Sequence, residues 1–176
     1  MHESMTNSEI PGTVVSLPNE AIDDITQAMR SLIADAFTLF VKAKNFHWHV
    51  SGPHFRDYHL LFDSQAVQIL AMVDPMAERI RKIGSTAIHS VGEIDRLRQV
   101  ADNDTERMTP AAMLAELCAD NAALAERMRQ THSLCDEHGD LASAGLLETW
   151  IDETEQRVWF LAATGREARC PPSPEA

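Results

Sequence analysis

The sequence is poor in basic residues and has no long apolar run, and each shortage excludes a class of protein. Among 176 residues, 15 Lys and Arg stand against 27 Asp and Glu, which gives a formal net charge of −12. This balance argues against a basic nucleic-acid-binding surface, because neutralising phosphates requires clustered Lys and Arg. No apolar run approaches the roughly 20 residues that cross a bilayer, so we expect no membrane span.

Cysteine is also scarce. Cys118, Cys135 and Cys170 are odd in number and form no CxxC pair, which argues against a disulfide framework. Cys118 and Cys135 lie roughly 25 Å apart on one expected helix and cannot bond each other. Cys170 is expected to be a free thiol. The first residues have no basic or apolar segment typical of a secretory signal, so we expect a cytoplasmic protein.

Hydrophobic periodicity predicts an all-α fold of four long helices. The expected helices cover residues 20–50, 55–83, 111–137 and 141–163, with a short helix inside the connection 84–108. Asn19 is the expected N-cap of the first helix. Pro75 lacks a backbone donor and should kink the second. The pattern is that of a four-helix bundle with one long crossover, a single domain at 19–165 between mobile tails at 1–18 and 166–176.

The second helix carries the residues that could perform chemistry. His59 and Asp63 are spaced i, i+4, as are Asp74 and Glu78, and all four project to one side of a continuous helix. Apolar residues such as Val67 lie among them. Carboxylates in apolar surroundings are expected to be paired or to bind a metal, because burial of a lone charge is costly.

The two pairs are too far apart to share one ion in a single chain. Their centres are roughly 22 Å apart along the helix, whereas metal–ligand bonds are about 2 Å. Either there are two poor sites, or a second copy lies antiparallel across a twofold axis and brings the pairs together. His47, late in the first helix, should lie near His59. Two imidazoles and three carboxylates suit iron, zinc or manganese.

Simpler interpretations remain open from the residues alone. An i, i+4 carboxylate pair is common on a solvated helix face, and Arg56 and Arg81 could form ordinary ion pairs with this cluster. His49 and His54 are interpreted as surface residues. No glutamate has a histidine three residues later, so a di-iron site inside a single bundle is not expected.

Two segments resemble the signature of the Dps family (DNA-binding proteins from starved cells, the miniferritins). They are KNFHWHVSGPHFRDYHLLFD, residues 44–63, and DPMAER, residues 74–79. The helix pattern extends the resemblance over residues 20–165 and includes Trp159. It implies a ferritin-like bundle in a hollow dodecamer built from twofold dimers. It also implies ferroxidase centres at the twofold interfaces, with His47, His59 and Asp63 from one subunit and Asp74 and Glu78 from its mate.

The resemblance further implies a function in iron storage and oxidative stress. Fe(II) is oxidised, preferentially by hydrogen peroxide, and Fe(III) is stored as a mineral in the shell. Trp48 lies beside the centre as a radical interceptor or as an aromatic interface anchor. Asp136 and Asp140 flank the turn where the family places acidic threefold pores through which iron enters. The alternative for Asp140 is helix capping.

The tails depart from the pattern of family members that bind DNA through Lys- and Arg-rich ends. The first basic residue is Arg30, whereas Glu3, Glu9 and Glu20 lie before it. An acidic shell should be repelled by phosphate, so DNA binding is disfavoured. The alternatives are a DNA-binding, nucleoid-compacting stress protein with a secondary metal site, and a helical scaffold with a degenerate site.

Overall fold

The computed structural model describes residues 15–165, and all regular structure in that range is helical. The elements are α1 (Asn19–His49), α2 (Phe55–Ala71), α3 (Val73–Lys82), α4 (Val91–Leu97), α5 (Pro110–Glu137) and α6 (Leu141–Thr164). α1 packs against α2, α3, α4 and α5, and α5 pairs with α6. This confirms the predicted all-α bundle with a short helix in its long crossover.

The first helix begins differently from the prediction. Asn19 is the first helical residue and not the N-cap, because the carbonyl of Pro18 already accepts a hydrogen bond from Ile22 N at 3.1 Å. Val15 and Leu17, which the sequence assigns to a mobile tail, are half-buried against the core. That part of the predicted tail therefore packs with the bundle.

The predicted kink at Pro75 is an interruption of the helix at Met72, one turn earlier in the chain, where the backbone stays in the α region with φ −77° and ψ −23°. Pro75 has no N–H to donate to the carbonyl of Ala71, and its ring crowds that carbonyl. α2 therefore ends at Ala71, and Met72 N bonds the carbonyl of Ile69 at 3.3 Å instead. α3 then ends before Gly84, whose φ of 96° suits a glycine at a helix end.

The core runs the length of the bundle and includes residues from α1, α2, α3, α5 and α6. Phe46 and Phe62 meet edge to face in it, with ring centroids 6.3 Å apart. The end of the crossover is fixed to α1 by the buried Asp35, whose Oδ1 accepts hydrogen bonds from Gln99 N at 2.6 Å and Val100 N at 2.8 Å. Its Oδ2 lies 2.8 Å from Arg127 Nε on α5. One carboxylate thus joins three parts of the bundle.

Several predictions concern residues 1–14 and 166–176, which lie outside the described range. They include the mobility of the two ends, the thiol of Cys170 and the charge of the tails toward DNA, and they stay predictions. Within residues 15–165, no helix combines the length and hydropathy that crossing a membrane would require.

Candidate metal centre

The hairpin of α1 and α2 places His47 and His59 against each other. Their rings are stacked with centroids 3.7 Å apart and an angle of 22° between the planes. His47 Nδ1 lies 2.8 Å from the carbonyl oxygen of His59, and His59 Nδ1 lies 2.8 Å from that of His47. Because a carbonyl only accepts, each Nδ1 carries a proton and donates it.

This reciprocal pair leaves both Nε2 atoms as acceptors in the neutral rings. A histidine whose Nδ1–H is held by a carbonyl is the usual form of a metal ligand, since the tautomer and the ring orientation are set before binding. Both rings are half-buried. Phe55, the first residue of α2, covers one side of His59 with its ring centroid 5.0 Å away. The histidine pair is thus preorganised to bind through nitrogen.

Asp63 lies one turn after His59 and faces the same place. Its Oδ1 is 4.0 Å from His47 Nε2 and 2.6 Å from Lys44 Nζ. The hydrogen bond from Lys44 lowers the pKa of Asp63, and the charges of Lys44 and the two histidines act in the same direction. The carboxylate is therefore ionised at neutral pH. A small rotation away from Lys44 would let it share an ion with His47, given metal–ligand bonds of about 2 Å.

Lys44 is a site residue whose role the sequence analysis did not identify. Its position three residues before His47 on α1 places both side chains on one helix face, which is the signal that could have revealed it. Its ammonium also lies 5.9 Å from the ring centroid of Trp48. Trp48 itself is 63% exposed. The aromatic side chain is therefore beside the candidate site but open to solvent in the single chain.

The carboxylates of α3 do not join this group in one chain. Asp74 and Glu78 are exposed, and Glu78 Oε2 accepts a hydrogen bond from Lys82 Nζ at 3.2 Å. Within residues 15–165, no three or more His, Cys, Asp or Glu side chains come close enough to hold a metal ion. The structure stacks His47 on His59 and places Asp63 4.0 Å from His47, and it leaves the other two predicted ligands elsewhere.

The alternative ion pairs with Arg56 and Arg81 do not form in the described part of the chain. Arg81 Nη1 donates instead to the carbonyl of Ser85 at 2.7 Å. The cations that do reach the predicted ligands are Lys44 and Lys82. His49 and His54 are exposed, in agreement with their interpretation as surface residues.

Large apolar side chains are exposed on the same side of the molecule. Leu60 is 53% exposed, Val67 65% and Leu70 40%, all on α2. A row of this kind on a folded protein commonly marks an interaction surface. It follows the helix that carries His59 and Asp63.

Asp140 takes the capping role and not the open position expected of a pore residue. It is 4% exposed, its side chain accepts a hydrogen bond from Ser143 N, and Arg79 pairs with its Oδ1. The carboxylate of Asp140 is therefore already engaged by Ser143 and Arg79. Asp136 is exposed and lies 3.5 Å from His132 Nδ1, whose Nε2 is 3.3 Å from Glu148 Oε1. Of the two predicted pore residues, only Asp136 presents its carboxylate to solvent.

Comparison with known proteins agrees with this architecture. The family model of the ferritin-like domain matches residues 26–169. The DNA protection during starvation protein of Mycolicibacterium smegmatis is 30% identical over 160 residues, which cover 90% of this chain and 84% of that protein.

Solved structures give the same result. Antigen TpF1 of Treponema pallidum superposes with a TM-score of 0.82 at 29% identity, covering 89% of this chain and 99% of that one. Dps from Thermosynechococcus elongatus superposes with a TM-score of 0.80 at 25% identity, covering 82% and 92%. At the level of the family, these matches indicate iron storage and protection under stress. The chain belongs to the Dps family of ferritin-like proteins.

Proposed function

We propose that this protein is a ferroxidase whose centre is shared between two copies of the chain. His47, His59 and Asp63 bind iron from one copy, and Asp74 and Glu78 of a second copy complete the site. The observation that carries the proposal is the reciprocal hydrogen bonding of His47 and His59, which presents two Nε2 acceptors beside an ionised Asp63. The two bonds also join the end of α1 to α2, but they hold the rings in the tautomer and orientation that a metal ligand pair requires.

The need for a second copy follows from the lengths of α2 and α3. The two ligand pairs are separated by about fifteen residues, or roughly 22 Å if the helices were continuous. A twofold axis that runs α2 antiparallel to its mate places the pairs side by side and generates two equivalent sites. The exposed row of Leu60, Val67 and Leu70 supports this axis, because an isologous contact along α2 would remove it from water.

The ligand set suits the oxidation of Fe(II), which is the substrate. Neutral imidazole nitrogens bind Fe(II) without adding charge, and carboxylates favour the more highly charged Fe(III) product. Two Fe(II) ions give one electron each to hydrogen peroxide, which with two protons forms two water molecules. Delivery of both electrons together avoids the release of hydroxyl radical. The consequence is protection from peroxide as well as removal of Fe(II).

We further propose that the twofold dimers assemble into a dodecameric shell that stores Fe(III) as a mineral. Asp136 and Glu148, which lie on either side of His132 near the α5–α6 turn, are suited to attract Fe(II) toward an opening in that shell. This proposal is supported by the exposure of the two carboxylates near the turn where the family resemblance predicts a pore.

The activity is tested by mixing anaerobic apo-protein with Fe(II), adding peroxide and following Fe(III) absorbance. The variant Asp74→Asn/Glu78→Gln is compared with Asp95→Asn/Asp102→Asn, which removes the same charge from exposed crossover carboxylates paired with Arg98. We expect fast oxidation to a soluble product in the wild type and in the control, and slow oxidation in the first variant. Equal rates in all three proteins, or rates no faster than in buffer, would refute the proposal.

Sharing between copies is tested by complementation. A His47→Ala/His59→Ala chain and the Asp74→Asn/Glu78→Gln chain are each inactive alone and are then unfolded, mixed in equal amounts and refolded. In a twofold dimer of one chain of each kind, one site is intact and the other keeps only Asp63 of its five ligands. Random pairing therefore restores about a quarter of the sites. A mixture as inactive as its parts would show that the ligands belong to one chain.

A further inference from the structure

Arg79 is a buried cation directly after Glu78, one of the proposed iron ligands. It lies on α3 and is 7% exposed. Its Nε donates a hydrogen bond to Ser143 Oγ at 2.9 Å, and its Nη2 donates to Asp140 Oδ1. Ser143 Oγ donates in turn to Asp140 Oδ2 at 2.5 Å. The three side chains form a closed polar cluster that links α3 to the first turn of α6.

The α6 side of this cluster is held in place by its own backbone. Asp140 is the N-cap of α6 and accepts a hydrogen bond from Ser143 N at 3.2 Å. Its N–H donates to the carbonyl of Cys135 at 2.8 Å, across a turn in which Gly139 has a φ of 72°. Arg79, which pairs with Asp140, is therefore linked to the junction of α5 and α6 and not to a loose loop.

α3 gains from such an attachment because it is short and its hydrogen-bond ladder is interrupted at Met72. It has 10 residues, and the break at Met72 separates its hydrogen-bond ladder from that of α2. A helix of this length has little stability of its own. Its buried Val73, Met76 and Ile80 keep it on the core, but apolar contacts are non-directional and tolerate rotation. The forked Arg79 contact is directional and resists it.

Small rotations of α3 matter for metal binding. A group on the surface of a helix moves by about 1 Å when the helix turns by about 10°, given a radius of about 5–6 Å. A ligand or catalytic group that is misplaced by that distance can cost on the order of 100-fold in rate. Asp74 and Glu78 project from α3 into solvent, and the ion pair given for them, that of Glu78 with Lys82, lies within α3 itself and cannot fix the rotation of the helix.

We propose that Arg79, held by Asp140 and Ser143, is a positioning residue for the ferroxidase centre. The cluster sets the rotation and height of α3, so that Asp74 and Glu78 meet iron bound by His47, His59 and Asp63 of a second copy. This inference rests on the proposed function. Arg79 and Asp140 do not touch iron. They link the metal-binding face of the subunit to the α5–α6 turn.

The test uses the assembled protein and Co(II), whose visible absorption reports coordination geometry and which peroxide-free buffer leaves unoxidised. Asp140→Asn keeps the size and capping ability of the side chain but removes the charge that pairs with Arg79. We expect its Co(II) dissociation constant to rise about 10-fold, with a changed visible band, as is usual for loss of an outer partner of a metal ligand. The Fe(II) concentration for half-maximal rate should rise in parallel.

The matched control is Asp35→Asn, which makes the same change in another buried, arginine-paired carboxylate, one whose partners lie on α5 and in the crossover and not on α3. It should bind Co(II) like the wild type. Ser143→Ala removes only one neutral partner of Arg79 and should give a smaller weakening. Arg79→Lys keeps the charge but loses the fork and should lie between the wild type and Asp140→Asn. Ser143→Ala and Arg79→Lys provide the test if Asp140→Asn does not fold.

Wild-type affinity and an unchanged Co(II) band in all the Arg79-cluster variants would overturn the positioning role. Equal weakening in Asp140→Asn and Asp35→Asn would also overturn it, since the effect would then be one of general stability. Failure of the proposed function looks different. In that case the wild type itself would bind Co(II) no better than Asp74→Asn/Glu78→Gln.

Discussion

Replacement of Asp35 by Asn tests how the crossover is attached to the bundle. The carboxylate is fully buried, accepts hydrogen bonds from Gln99 N and Val100 N through Oδ1, and has Arg127 Nε 2.8 Å from Oδ2. Asn can keep the carbonyl oxygen toward the two amides. Its NH₂ group then faces the Arg127 guanidinium, so that two donors meet and a positive charge loses its partner.

The expected loss can be worked from these contacts. Breaking a buried ion pair by removal of one partner costs about 3–5 kcal/mol. Arg127 retains 18% exposure of its side chain, so the low end, about 3 kcal/mol, applies. Asp35→Ala also leaves the buried Val100 N–H without an acceptor, which adds about 1–3 kcal/mol. We therefore expect roughly 5 kcal/mol for the alanine variant.

The measurement is urea unfolding followed by circular dichroism at a fixed protomer concentration, because assembly shifts apparent stability by mass action. Arg127→Met in the Asp35→Asn background should recover part of the loss, since the unpaired guanidinium is gone. A loss below about 1 kcal/mol for Asp35→Asn would refute this account. It would mean that the other contacts of the crossover hold it to α1, such as the hydrogen bonds from Ser31 Oγ to the carbonyl of Leu97 and from Asn45 Nδ2 to the carbonyl of Asn103.

Three further predictions concern single side chains. Lys44→Met should raise the pKa of Asp63 toward its ordinary value of 3.8, measurable by carbon-13 NMR of the apo-protein. A carboxylate whose pKa is lowered in the folded protein stabilises the fold fully above its ordinary pKa, and this contribution is lost as the pH falls through the lowered pKa. The variant lacks the contribution and should therefore lose less stability in acid. An unchanged titration of Asp63 would contradict the Lys44 contact. Burial, followed by the charge of Asp140, raises the pKa of the Cys135 thiol to about 12. In a Cys170→Ser protein, a thiol reagent at pH 8 should therefore react with Cys135 only after unfolding. Rapid reaction of Cys135 in the native protein would disprove its burial. Phe62→Ala should cost about 3–5 kcal/mol in urea unfolding, since the ring is fully buried against Phe46, and a cost below about 1 kcal/mol would show that the site collapses around the deletion.

Much of the architecture could be predicted from local sequence signals. A 3.6-residue period locates the helices, and residues that act within one turn end them, such as Thr109, whose side chain accepts a hydrogen bond from Ala112 N, and Gly84. The errors are also local. Pro75 affects the carbonyl four residues earlier, so the break lies at Met72 and not at the proline. Pro18, without a side-chain cap, supplies the first carbonyl of α1.

The sequence also indicates candidate metal ligands, because imidazole and carboxylate chemistry depends on residue type and because the order of residues in the chain sets their helical spacing. The tertiary structure decided what those groups contact. The crossed hydrogen bonds of His47 and His59, the cation on Asp63 and the burial of Asp140 under Arg79 all join residues on different helices. A helical period gives the face on which a side chain lies but not the rotation and height at which two helices pack. Partners across helices are therefore set by the packing of the whole core.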